Sequence, residues 1–166
     1  IKYTPGYGRS YMPPSQETRD FIAKMKLIPV REIIEGQRIV VCDDSLVRGT
    51  QLKNFTVKKL LQNGAKETHI RLACPPLMFP CKFIFSTRSI YELAARRTIL
   101  ELEGKENPDF TPYLDHTTPQ YKKMVDAITK DLGVTTLRYQ TVDDMVAAIG
   151  LPREELEQRL CTWLRQ

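Results

Sequence analysis

The chain has 166 residues, 42% hydrophobic and 27% charged, the balance of an ordinary globular domain with length for one core. Its net charge of +5 comes from 25 basic and 20 acidic residues scattered along the sequence, with no dense basic stripe. That argues against a nucleic-acid module and suits a small polyanionic ligand; no apolar run approaches the roughly 20 residues of a membrane-spanning helix.

The opening "IKYTPGYGRS" carries neither an initiator Met nor the apolar core of a secretion signal, so we expect a fragment of a longer protein. Residues 1–14 are rich in Gly, Pro and Tyr and read as an irregular arm. From Ser15 to Ile28 a helix is expected, with Phe21, Met25 and Ile28 on one face. Gly36 marks a turn. The run "RIVVC" is rich in β-branched residues and is expected to be a strand buried on both faces, as in parallel sheets, with Cys42 a buried thiol.

Thr50 to Asn63 reads as a helix with Val57, Leu60 and Leu61 inward, stopped by Gly64. "HIRLAC" is expected to be a second strand and "KFIFS" a third, followed by a helix over Ile90–Glu103 with Ile90, Leu93 and Ala94 inward. Residues 103–119 read as a loop or insertion. A helical stripe of Tyr121, Met124, Val125, Ile128 and Leu132 ends at Gly133, and "TTLRYQ" is a strand. Thr141 and Asp144 approximate a capping box before Val142, Met145, Val146 and Ile149; Pro152 opens a last helix with Leu156, Leu160 and Leu164. Residues 1–28 are thus expected to form a lid segment and first helix, 29–150 the core, and 151–166 a terminal helix.

Strands alternating with helices imply an α/β fold with a mostly parallel sheet, whose ligands sit at the carboxyl ends of the strands. "RIVVCDDSLVRGTQ" lies at such an end. The helix after it starts with unsatisfied N–H groups and a partial positive charge, and Ser45, Gly49 and Thr50 are small enough for backbone to wrap an anion. Asp43 and Asp44 repel a phosphate but accept hydrogen bonds from sugar hydroxyls or face Mg²⁺. Acids beside an anion cradle point to a phosphorylated sugar. Neither a Walker loop nor a GxGxxG is present, which removes the usual ATPase and dinucleotide readings. The four Cys, at 42, 74, 81 and 161, form no CxxC pair and read as reduced thiols of a cytoplasmic protein; His69 and His116 have no metal partners at useful spacing.

"IVVCDDSLVRGT" resembles the phosphoribosyl pyrophosphate loop of type I phosphoribosyltransferases, and Arg48 in it resembles the amidophosphoribosyltransferase branch. "GRSYMPPSQETR" looks like that branch's flexible lid, while "NGAKETHIRLACPPLMFPC", "ELAARR" and "LGVTTLRYQTVDDMVAAIG" match further along. The resemblance implies a partial type I phosphoribosyltransferase fold with additional C-terminal helices. It also implies a glycosyltransferase that replaces the pyrophosphate of phosphoribosyl pyrophosphate (PRPP) with ammonia, giving 5-phosphoribosylamine for purine synthesis. The ammonia would come from glutamine, through an upstream glutaminase domain that lies before Ile1, in a homo-oligomeric parent.

Carried over residue by residue, Asp43 and Asp44 would be the catalytic acids, holding the ribose hydroxyls and Mg²⁺. Ser45, Leu46, Val47, Arg48, Gly49 and Thr50 would bind the 5-phosphate, and Arg9, Gln16 and Arg19 would belong to the lid. Cys81 and Cys161 match two iron–sulfur ligand positions, but Leu164 stands where a further Cys is expected, so no cluster is expected in this chain alone. Two departures stand out: the helix after the acidic loop is one residue longer than the family spacing, around Leu52–Phe55, and residues 103–119 are inserted. A non-catalytic PRPP-binding regulator is the alternative reading.

Overall fold

The computed structural model describes residues 28–80 and 89–154. In chain order these form α1 (Arg31–Ile34), β1 (Arg38–Asp43), a π-helical turn (Leu52–Val57) running into α2 (Lys58–Gln62), and β2 (Glu67–Leu72). Then come a 3₁₀ turn (Ile90–Glu92), α3 (Ala94–Glu103), a second 3₁₀ turn (Thr111–Tyr113), α4 (Pro119–Leu132), β3 (Thr136–Tyr139) and α5 (Val142–Ile149). The expected arm and lid, most of the first helix, the strand "KFIFS" and the last helix beyond Glu154 lie outside the described residues.

The strands lie in the order β1-β2-β3. β2 and β3 are parallel, with His69 opposite Thr136 and Leu72 opposite Tyr139. β1 runs the same way, since Lys66 N–H bonds the Gln37 carbonyl near one end and Ala73 N–H bonds the Asp43 carbonyl at the other. A parallel pair cannot be joined by a hairpin, so helices must connect these strands, and the alternation read in the sequence is the visible trace of that constraint.

β1 departs from expectation. Val40 is 59% exposed and Cys42 is exposed, so this strand is not buried on both faces. Its apolar run is that of an interior strand, yet among the described residues it is the edge of the sheet. β2 is the central strand: Thr68, Ile70 and Leu72 are buried and alternate with half-buried Glu67, His69 and Arg71. On that second face Arg71 Nη1 donates to Thr136 Oγ1 at 3.0 Å, and the same oxygen lies 2.9 Å from His69 Nδ1.

The described residues form two compact units, 28–39 with 50–68, and 40–49 with 69–80 and 89–154. In the second, Ile70, Leu72 and Leu137 from the sheet, Ile99 from α3 and Met124, Ile128 and Leu132 from α4 are all at most 4% exposed. Residues 124, 128 and 132 recur every four positions and so share one helix face. Thr118 caps α4 by accepting the Tyr121 N–H, Pro119 occupies its first turn, and Gly133 stops it at φ +70. Thr141 caps α5 in the expected way, its hydroxyl accepting the Asp144 N–H at 3.1 Å. Only Met145, in the turn next to that anchor, is buried; Ile149, expected inward, is 46% exposed.

In the first unit the helix expected over Thr50–Asn63 is not a regular α-helix. A π turn spans Leu52–Val57, the stretch where an extra residue was expected. Leu52 and Val57, five apart, are both buried, which matches the i to i+5 geometry of a π turn. The wider turn shifts the register that follows, leaving Leu60 half-buried and Leu61, expected inward, 47% exposed. Nearby, Ile28, Ile33, Phe55 and Leu60 line an apolar groove of about 220 Å³.

Residues 103–119, expected to be a loop or insertion, are anchored. Phe110 places its ring centroid 3.2 Å from the Arg96 guanidinium carbon, with Phe79 at 5.8 Å. Tyr113 is 2% exposed, and its hydroxyl donates to Glu103 Oε1 at 2.5 Å. No described helix is long and apolar enough to cross a membrane.

Candidate functional site

Asp43 ends β1 at the carboxyl edge of the sheet, where the Leu72 and Tyr139 ends of the neighbouring strands also lie. The turn that follows is held by its own acids. Asp44 N–H donates to Asp43 Oδ1 at 3.0 Å, and Ser45 N–H donates to Asp44 Oδ1 at 2.7 Å. Burial holds the Asp43 carboxyl above the ordinary carboxylate range, with the adjacent Asp44 charge adding to it and the Asp44 N–H opposing it. Two like charges this close are an electrostatic load that a cation or sugar hydroxyls would relieve.

Beyond Ser45 the loop turns over the second unit's core. Leu46 is buried at 4% exposure, so its side chain serves as an anchor and only its backbone faces the turn. Its N–H reaches the thiol of buried Cys74, two residues past β2. Burial pushes that thiol up to about 11, with the charges of Asp44 and Asp43 adding, so Cys74 is a packed neighbour of the acids and no nucleophile. Gly49 adopts φ +80; a Cβ there would meet Leu132 Cδ2 at 3.5 Å and Leu46 Cδ1 at 3.8 Å, ordinary contacts. The position therefore favours Gly for its backbone conformation and not for space. Thr50 opens the helix whose first N–H groups have no intrahelical partners.

A second segment meets this loop from across the sequence. Arg48 Nη2 donates to Glu92 Oε2 at 2.6 Å, Ala94 N–H donates to the Val47 carbonyl at 2.7 Å, and Arg97 Nη2 donates to the Arg48 carbonyl at 3.3 Å. Sequence reasoning matched "ELAARR" but assigned it no role, because nothing local links residues 44 to 49 positions apart. Cys74 was missed for the same reason.

Among the described residues no three His, Cys, Asp or Glu side chains gather as a metal site. Two adjacent carboxylates nevertheless fit Mg²⁺ in its usual manner, one or two protein oxygens completed by substrate oxygens and water. Arg9, Gln16 and Arg19 of the expected lid, and Cys81 and Cys161, lie outside the described residues. At the end of β3 the Tyr139 hydroxyl is buried without a hydrogen-bond partner among the described residues. Burial raises its pKa, as it raises that of nearby Tyr121 to about 12.

No family model matches the chain. An amidophosphoribosyltransferase of Mycobacterium bovis is 35% identical over 155 residues, 93% of this chain and 25% of that protein. A chloroplastic amidophosphoribosyltransferase of Vigna aconitifolia is 47% identical over 94 residues, 57% of this chain and 19% of its own length. Among solved structures, the glutamine PRPP amidotransferase of B. subtilis, complexed with ADP and GMP, superposes with a TM-score of 0.57 at 30% identity. That match covers 90% of this chain and 27% of the other. The chain thus spans about a fifth to a quarter of the relatives it matches. Sequence and fold agree on one kinship: the chain is a relative of the amidophosphoribosyltransferases, matching the phosphoribosyltransferase region of that family.

Proposed function

We propose that this chain supplies the PRPP-binding, phosphoribosyl-transferring part of an amidophosphoribosyltransferase, forming 5-phosphoribosylamine and pyrophosphate from PRPP and ammonia. One observation carries the reading: paired aspartates at a strand's carboxyl end lead straight into a loop with a left-handed Gly49 that opens a helix. The acids suit ribose hydroxyls, and the loop and helix start suit the 5-phosphate.

In this reading Asp43 and Asp44 accept hydrogen bonds from the ribose hydroxyls and orient the sugar. Ser45 through Thr50 hold the phosphate by backbone N–H groups and the hydroxyls of Ser45 and Thr50. Loss of pyrophosphate leaves positive charge on the sugar ring, and the two carboxylates stabilise it across a short distance. When bound, Mg²⁺ would neutralise the pyrophosphate oxygens, held by Asp43 and Asp44 together with the substrate. Ammonia attacks the sugar directly, so no side-chain nucleophile is required, in keeping with the high pKa of Cys74.

Calorimetry with PRPP and Mg²⁺ tests the assignment. Asp44→Asn should weaken binding at least about tenfold, the scale of one lost charge-assisted interaction, with the circular dichroism spectrum unchanged. Equal affinity in the two proteins would defeat the site. Ammonia-dependent release of pyrophosphate separates a transferase from a protein that only binds PRPP.

A further inference from the structure

We infer that the segment Glu92–Arg97 is the rear anchor of the phosphate loop, with Glu92 and Arg97 as positioning residues that aim the amides of Arg48 and Gly49; this rests on the function proposed above. The argument starts from the peptide plane. In a trans peptide the carbonyl of one residue and the N–H of the next point in opposite directions. The Val47 carbonyl is tied to Ala94 N–H at 2.7 Å, which turns the Arg48 N–H away from α3. The Arg48 carbonyl accepts from Arg97 Nη2 at 3.3 Å, which does the same for the Gly49 N–H. A loop that offers N–H groups to an anion must place its carbonyls behind it, where they need donors of their own. The first turn of α3 supplies those donors.

Glu92 completes the anchor by drawing the Arg48 guanidinium to the α3 side at 2.6 Å. The 3₁₀ turn carrying Glu92 is itself capped, Ser89 Oγ accepting the Tyr91 N–H at 3.2 Å. Within α3, Arg96 is 9% exposed and stacked against Phe110 of the 103–119 segment. The segment carrying Phe110 thus braces the same helix turn that holds the loop. Glu92 acts through the Arg48 side chain and Arg97 through the Arg48 carbonyl.

Hydrogen exchange and binding of ribose 5-phosphate with Mg²⁺ test this together. Arg97→Met and Glu92→Gln should speed exchange of the Arg48 and Gly49 amides while leaving those of α4 and β3 unchanged. Affinity for ribose 5-phosphate should fall about fivefold, the scale of one hydrogen bond, and Arg97→Lys should recover most of it. Exchange at the parent rate in the loop, protection lost evenly across the protein, or binding indifferent to both substitutions would overturn the anchor alone. A parent protein that binds no ribose 5-phosphate would overturn the functional reading and the positioning role with it.

Discussion

Asp43 shows how a binding residue loads the fold that carries it. Its folded pKa lies above the unfolded one because burial disfavours the charge. The folded chain therefore holds the proton longer, and stability falls as pH rises from the unfolded carboxylate pKa through the folded one. Below both values the cost vanishes; at neutral pH it is fully present. Asp43→Asn should accordingly raise the melting temperature at pH 7 by about 1–2 °C, a small figure because the group is partly solvated. The gain should disappear below about pH 3. Scanning calorimetry at the two pH values checks this, and a lowered melting point at pH 7 would contradict it. Gly49 carries the opposite kind of cost. Its neighbours leave room for a methyl group but its φ of +80 does not suit one. Gly49→Ala should cost about 1–2 kcal/mol in urea unfolding and Gly49→Asn less, since Asn tolerates the left-handed region. A steric origin would reverse that order, the larger side chain costing more.

Single elements carry marks that the sequence showed without explaining. An extra residue was expected around Leu52–Phe55, and a π turn lies there. The π turn keeps Leu52 and Val57, five positions apart, on one buried face. Removing exposed Asn54 would place the two four apart, the correct spacing for an α turn. That deletion should change stability by no more than about 1 kcal/mol, whereas deleting Leu60 from the regular helix α2 should cost several times as much. Urea midpoints of the two deletions decide the matter; equal losses would mean that the π turn tolerates a deletion no better than the α-helix does. Short α1 escaped the sequence reading because four residues show no periodicity, whereas the Met124–Ile128–Leu132 stripe of α4 was plain.

For the whole molecule, β1 is the instructive case. Its composition belongs to an interior strand, yet Val40 stands 59% exposed at the edge of the described sheet. An apolar edge that no other strand covers among the described residues invites pairing with a second chain. Sedimentation velocity should show concentration-dependent self-association of this chain, relieved by Val40→Lys, which sets a charge on the exposed face. A parent chain that stays monomeric at all concentrations would refute the link between that edge and association.

Local chemistry made much of this protein readable from its residues. Hydrophobic periodicity, capping Thr141, the stop at Gly133 and the acids at the end of "RIVVC" are contiguous patterns, and each follows from backbone geometry acting over a few residues. Only the folded chain could decide which described strand would lie at an edge, that Cys74 would sit beneath the acids, and that Ala94 and Arg97 would hold the carbonyls of a loop more than forty positions away. The reason is physical. Packing partners are chosen by what else must be buried at the same place, and that choice leaves no period in the sequence.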